Sequence, residues 1–285
     1  MLDLYINIKN AYFAMESALR IAITNSHQYN TPGFKYSSPV FTTIFENVLS
    51  SGTSSTNPIS LGSSISLGSV TRDFSQGSIV DGSNLDVAIS GDGFFVTADL
   101  TQAISMGAVS YAYTRNGRFR IDGATNHLVD MFGRVIFGFE IDANGNVSNQ
   151  LTPIKVEDSD VGFIDGGILI SNFSAATSNP EATGIPKYRL ALSSFLNKQG
   201  LGSTDGASFV ETAASGSPTA FGISQSSISG SDISYGAILG RKYESSNVDI
   251  ARINLDLNVI NRGTSAVQGV MDDLGKTLSG FISKL

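Results

Sequence analysis

Residues 250–285 read IARINLDLNVINRGTSAVQGVMDDLGKTLSGFISKL, and the spacing of their apolar positions decides how the rest of the chain is read. Ile250, Ile253, Leu257, Ile260, Thr264, Val267, Met271, Leu274, Leu278, Phe281 and Leu285 recur at alternating steps of three and four. That spacing lines one face of a helix. The seam runs for about five heptads, more turns than a helix covering its own small core needs. It predicts a helical partner, with an ordinary amphipathic helix over a local core as the alternative. Gly263, Gly269, Gly275 and Gly280 interrupt the segment, each costing about 1 kcal/mol relative to alanine in a helix interior. Order in this helix is therefore expected to depend on packing.

The N-terminus carries the same alternation in Met1, Leu4, Ile8, Ala11, Met15, Ala18 and Ala22, with Tyr5, Tyr12 and Leu19 widening the face. The pattern stops near Asn25, and Asn30-Thr31-Pro32-Gly33 supplies residues that end a helix and turn the chain. The candidate contact residues are Leu4, Ile8, Met15 and Leu19 on the first helix. On the last they are Ile250, Ile253, Leu257, Ile260, Val267, Met271, Leu274, Leu278 and Phe281.

Between the helices the period changes. Ser50 to Ser69 is rich in Ser, Gly and Thr with almost no charge, and reads as an extended linker or loop. Leu85, Val87 and Ile89 then alternate with Asp86, Ala88 and Ser90, and Gly91-Asp92-Gly93 turns the chain before Phe94-Phe95-Val96. Asn116-Gly117, between Tyr113-Thr114-Arg115 and Arg118-Phe119-Arg120-Ile121, is the strongest short hairpin signal known. Apolar runs at 128–129, 135–139, 154–156, 168–170 and 188–192 continue the strand-like pattern. The expected fold class is α+β. Helical segments cover 1–35 and 241–285, a linker 36–84, and a β-rich domain 85–240.

Composition narrows the function. The chain has 285 residues, 41% of them hydrophobic, which is enough for a real core. Only 15% are charged and 30 are glycine, so surface polarity comes from Ser, Thr, Asn and Gly. A formal net charge of −7 argues against nucleic acid and anionic membrane surfaces as partners. No run reaches the roughly 18 apolar residues of a membrane span. The opening residues lack the basic and apolar regions of a cleaved secretory signal.

Nor is there a pattern that carries chemistry. Cysteine is absent, which removes thiolate nucleophiles and zinc–thiolate sites. His27 and His127 do not stand at metal-ligand spacing from any partner. No nucleophile elbow, phosphate loop or dinucleotide fingerprint occurs. Asp142-Ala143-Asn144-Gly145-Asn146 begins like a calcium loop, but its glycine falls two places early and Pro153 stands where a bidentate Glu belongs. It reads as a hairpin tip. Asp158, Asp160 and Asp165 read as solvated loop carboxylates. The chain is expected to be no enzyme, with no catalytic, cofactor-binding or metal site.

Several strings in one order carry a resemblance. They are Asn30-Thr31-Pro32-Gly33-Phe34-Lys35, Thr71-Arg72-Asp73-Phe74-Ser75-Gln76-Gly77-Ser78, Leu85-Asp86-Val87-Ala88-Ile89, Gly91-Asp92-Gly93-Phe94-Phe95 and Tyr113-Thr114-Arg115-Asn116-Gly117-Arg118-Phe119. Phe195 to Leu201, Glu211 to Gly216 and Glu244-Ser245-Ser246-Asn247-Val248-Asp249 follow. Together they resemble the bacterial flagellar basal-body rod and hook family of axial proteins. Two stretches depart from the family pattern: Ile23-Thr24-Asn25-Ser26-His27-Gln28 and Asn261-Arg262-Gly263-Thr264. The resemblance implies terminal helices pairing in a coiled-coil-like core, with the β-rich domain facing outward. It implies a helical homopolymer in contact with other flagellar axial proteins, exported uncleaved through the flagellar export apparatus. The implied location is the rod in the periplasm or the extracellular hook. A single outer domain favours rod over hook. A secreted Ser/Gly-rich β-structured adhesin is the alternative from another class.

Overall fold

The computed structural model describes residues 2–43, 46–50, 59–62, 65–104, 109–178, 184–226 and 234–283. Helices at both ends of the chain, Leu2–His27 and Ile250–Ile282, flank a β-rich middle, so the class is α+β. The chain divides into two compact units. The first holds residues 1–29, 36–73 and 248–285, and the second holds 30–35 and 74–247.

In the first unit the two long helices pack on each other. Ala18 and Ala22 form a buried cluster with Ile260, and Leu19 and Leu257 pack against it. Met15, a turn earlier on the first helix, lies against Gly263, a turn later on the last. The helices therefore run antiparallel, and small side chains on the first allow the close approach. The unit also holds a two-stranded ribbon in which Ser37–Thr43 pairs antiparallel with Ile65–Arg72, with a bulge between Val40 and Phe41. In a separate two-stranded sheet, Glu46–Ser50 pairs antiparallel with Ile59–Gly62. Much of the Ser/Gly/Thr-rich run expected as linker is thus hydrogen-bonded strand. Its composition hid this because strand pairing needs only a partner backbone in register, which composition does not show. Residues 51–58 of that run lie outside the described residues.

The second unit is built on one antiparallel sheet. Its strands lie in the order Val161–Ile164, Ile168–Ser171, Ile185–Leu190, Val135–Ile141, Phe94–Ala98, Tyr111–Thr114, Ser208–Val210 and Gly202–Ser203. Both faces are covered. Phe94, Val96, Val135 and Phe137 enter one buried cluster, whereas Phe95 and Ile136 enter the other. The period of two along each strand thus sorts consecutive apolar residues to opposite sides. Val87–Ser90 pairs with Ala237–Gly240, and Val87, Ala88 and Ile89 are all buried. The alternation expected there is replaced by burial on both sides.

Asn116-Gly117 is not a hairpin. Tyr111–Thr114 pairs with Phe94–Ala98 and Ser208–Val210, while Arg120–Ile121 pairs with Leu128–Val129. Neither Asn116 nor Gly117 has the positive φ that the tight hairpin turn demands. Asn116 is buried, and its Oδ1 accepts from the Arg118 amide at 3.0 Å. Gly117 passes so close to another strand that an added Cβ would lie 1.7 Å from the Val87 carbonyl oxygen. The dipeptide serves close packing rather than turning. Gly117→Ala is accordingly expected to cost about 3 kcal/mol or more in a urea melt. A loss below about 0.5 kcal/mol, typical of an exposed loop, would contradict this account.

Candidate assembly interface

At Met15, Ala18, Leu19 and Ala22 of the first helix and Leu257 and Ile260 of the last, the apolar face read from the sequence is where the terminal helices meet. Ile8, Ile253 and Ile260 are buried, and Met15, Leu19, Leu257, Val267, Met271 and Leu274 are half-buried along the same faces. Ile250 stands apart at 49% exposed. Leu4, Leu278 and Phe281 lie on the helices, but their side chains are outside those described, and Met1 and Leu285 lie outside the described residues altogether.

A second stripe on the last helix escaped the sequence reading. Leu255, Val259, Ala266 and Val270 are exposed, Leu255 at 64% and Val259 at 62%. Their steps of four, seven and four place them on one face, roughly a third of a turn from the seam. Their own heptad spacing was the available signal, masked by the stronger seam beside it. Ile6 and Phe13, seven residues apart, form a smaller exposed pair on the first helix. Beside the stripe, Ile21, Pro39, Phe41, Leu255 and Val259 line a groove of about 250 Å³ within the first unit.

Polar contacts fix the helices to the ribbon. Asn25 is buried and holds Ser37 from both sides: its Nδ2 donates to the Ser37 carbonyl at 2.7 Å, and its Oδ1 accepts from the Ser37 amide at 3.0 Å. The Tyr36 hydroxyl donates to Asp256 Oδ2, and the Arg252 guanidinium lies 4.0 Å over the Tyr36 ring. Burial, with the Asp256 carboxylate next in importance, pushes the Tyr36 phenol above its ordinary pKa, so it remains a donor at neutral pH. Arg252 and Asp273, each seven residues from a stripe position, fall on the same exposed face.

The acids and histidines weighed for chemistry have structural places. Asp142 caps its own hairpin tip, its Oδ1 accepting from the Asn144 and Asn146 amides, each at 2.8 Å. Asp160 accepts from the Ser174 amide and hydroxyl, and Asp165 from the Gly240 amide. His27 closes the first helix, and His127 lies in a bridge to Lys155. Among the described residues, no three His, Cys, Asp or Glu side chains are grouped to hold a metal ion. None of the described helices is long and apolar enough to cross a membrane.

No protein-family model matches the chain. The flagellar basal-body rod protein FlgG of Buchnera aphidicola subsp. Acyrthosiphon pisum is 29% identical over 218 residues, covering 74% of this chain and 74% of that protein. FlgG of Buchnera aphidicola subsp. Baizongia pistaciae is 29% identical over 252 residues, 85% of this chain and 84% of its own length. The flagellar hook protein FlgE of Helicobacter pylori is 29% identical over 160 residues. The relatives of this chain are flagellar rod and hook proteins. The chain matches 53% of its own length to this FlgE but only 21% of the FlgE length.

Asn25 provides a direct test of how the helices are anchored. Asn25→Ala removes both bonds to Ser37 from a buried position and is expected to destabilise the chain by about 1–3 kcal/mol. Thr24→Ala, on the exposed side of the same turn, is expected to stay within about 0.5 kcal/mol in the same denaturant titration. Equal effects would show that Asn25 is not an anchor.

Proposed function

We propose that the chain is a structural subunit of the bacterial flagellar axis, of the rod type, that polymerises helically and transmits torque. The observation that carries the reading is the uncovered apolar stripe Leu255, Val259, Ala266 and Val270 on a helix whose seam is already occupied. A stripe of this kind is satisfied by a further helix from another copy, and repeated head-to-tail contact of that kind propagates as a helix of subunits. The pair of terminal helices then becomes the coiled-coil-like core of the assembly. On this proposal the interface residues expected from the sequence, Leu4, Ile8, Met15, Leu19, Ile250, Ile253, Leu257, Ile260, Val267, Met271, Leu274, Leu278 and Phe281, belong to that core.

Three glycines support the reading. An added Cβ at Gly269, Gly275 or Gly280 would meet nothing within 4 Å, so nothing described within the chain calls for these costly residues. Close approach by a neighbouring helix would account for them. The rod reading over the hook draws on the similar spans shared with the two FlgG relatives. On this proposal the partners are copies of this chain, other flagellar axial proteins and the flagellar export apparatus. The place of action is the basal body, and no catalysis is involved.

The exposed and buried positions on the last helix should respond differently to a charge. Leu255→Asp and Val259→Asp are expected to leave the melt of the dilute chain within about 0.5 kcal/mol. Both are expected to abolish tubes in electron micrographs and the heavy species in sedimentation. Ile260→Asp, inside the helix pair, should instead unfold the pair itself. If Leu255→Asp and Val259→Asp assembled as well as the parent chain, the stripe would not be an assembly surface. Gly269→Ala adds a second readout: helicity of the dilute chain should rise while assembly weakens, and a rise in both would argue against close helix approach there.

A further inference from the structure

Four of the short strings noted in the sequence meet at one buried carboxylate, and a fifth bonds one of its partners. Glu244 is fully buried, as is Lys35, whose Nζ donates to Glu244 Oε1 at 2.6 Å and to the Ser75 carbonyl at 2.6 Å. Arg115 Nη1 lies 3.4 Å from Glu244 Oε2, and its Nη2 donates to the Gly91 carbonyl at 2.6 Å. The Gly77 amide donates to Glu244 Oε1 at 2.9 Å.

The backbone closes around the same point. The Gly33 amide donates to the Glu244 carbonyl at 2.8 Å, Ser245 to Ser78 at 2.8 Å, and Asn247 to Phe34 at 3.3 Å. Gly33 has φ +70°, and an added Cβ would lie 2.4 Å from Arg115 C and Asn116 N. Segments 30–35, 74–78 and 244–247, by which the chain enters and leaves the second unit, are therefore stitched together at one place.

We infer that this junction is the last part of the second unit to form, and that it closes only when residue 244 arrives. Two physical reasons support this order. Lys35 and Glu244 are 209 residues apart, and Gly77 and Glu244 are 167 apart, so their contacts are among those that close the longest loops in the unit. Without Glu244, moreover, the earlier segments would bring two cations, Lys35 and Arg115, into a buried site ahead of the carboxylate that both of them meet. Unpaired buried charge is costly enough to hold those segments open. A chain supplied from its N-terminal end, by synthesis or by threading, cannot complete the unit until nearly all of it is present. This goes beyond the axial reading and holds whether or not the chain assembles.

Pulsed hydrogen exchange during refolding of the full chain at low concentration tests the order. The Gly33 and Gly77 amides are expected to gain protection after the amides pairing Phe94–Ala98 with Tyr111–Thr114. Simultaneous or earlier protection would overturn the inference. In stopped-flow measurements Glu244→Gln should raise the unfolding rate at least about tenfold and leave the folding rate within about twofold. Slowed folding that accounted for the whole loss of stability would overturn it as well. Adding Lys35→Met to Glu244→Gln should slow unfolding again by about fivefold, because one of the two cations that met the carboxylate is gone. Further acceleration would refute the like-charge argument. Should Glu244→Gln not fold, the labelling order in the unsubstituted chain decides the question.

Discussion

The buried pairing of Lys35 with Glu244 is the constraint from which much of the second unit's order follows. A dry carboxylate is tolerable only when its oxygens are met from several sides, and here a lysine, an arginine and a backbone amide meet them. Each partner fixes a different stretch. Arg115 is held over Ile89 and Gly91, which sets the path of the chain into Asn116 and Gly117. Gly33 must be a glycine because the backbone of that path lies against it. Lys242–Glu244 pairs with Ile79–Asp81, so the strand carrying the carboxylate is itself held in register.

The terminal helices were the most legible part of the sequence. A long apolar seam at steps of three and four has few alternative readings, and the half-buried or buried face from Ile253 to Leu274 follows it residue by residue. Strands over 94–96, 128–129, 135–139 and 168–170 were equally plain, since each carries apolar side chains to a covered sheet. Asn116-Gly117 was misread because a turn signal is local and the demand on Gly117 comes from Val87, thirty positions earlier. The Ser/Gly/Thr-rich ribbon was misread for a related reason: pairing partners are invisible in composition.

The candidate site was legible only in part. Sequence periodicity identifies an apolar face but does not say whether the chain or a neighbour covers it. Ile253 and Ile260 are buried within the chain, while Leu255 and Val259, set between seam positions, are exposed. The polar anchors were not foreseen. Asn25 fell within a stretch noted as departing from the family pattern, and nothing local marked it as the residue that grips Ser37. Such contacts join segments whose meeting depends on the finished fold.

Apart from residues 30–35, the second unit is, in sequence, a guest placed inside the first: the chain leaves for it at residue 74 and has returned by residue 248. Its entering and leaving segments are bonded side by side, so the span between them can vary in length without moving either anchorage. The tip at Asp142 to Asn146 is exposed, and its carboxylate is satisfied by its own loop. A foreign peptide or small domain spliced at that tip would leave the stitched junction and both terminal helices chemically unchanged. In engineering terms the fold is a carrier with a built-in display position, and in evolutionary terms it is one that can lengthen at that tip while its terminal helices keep their sequence.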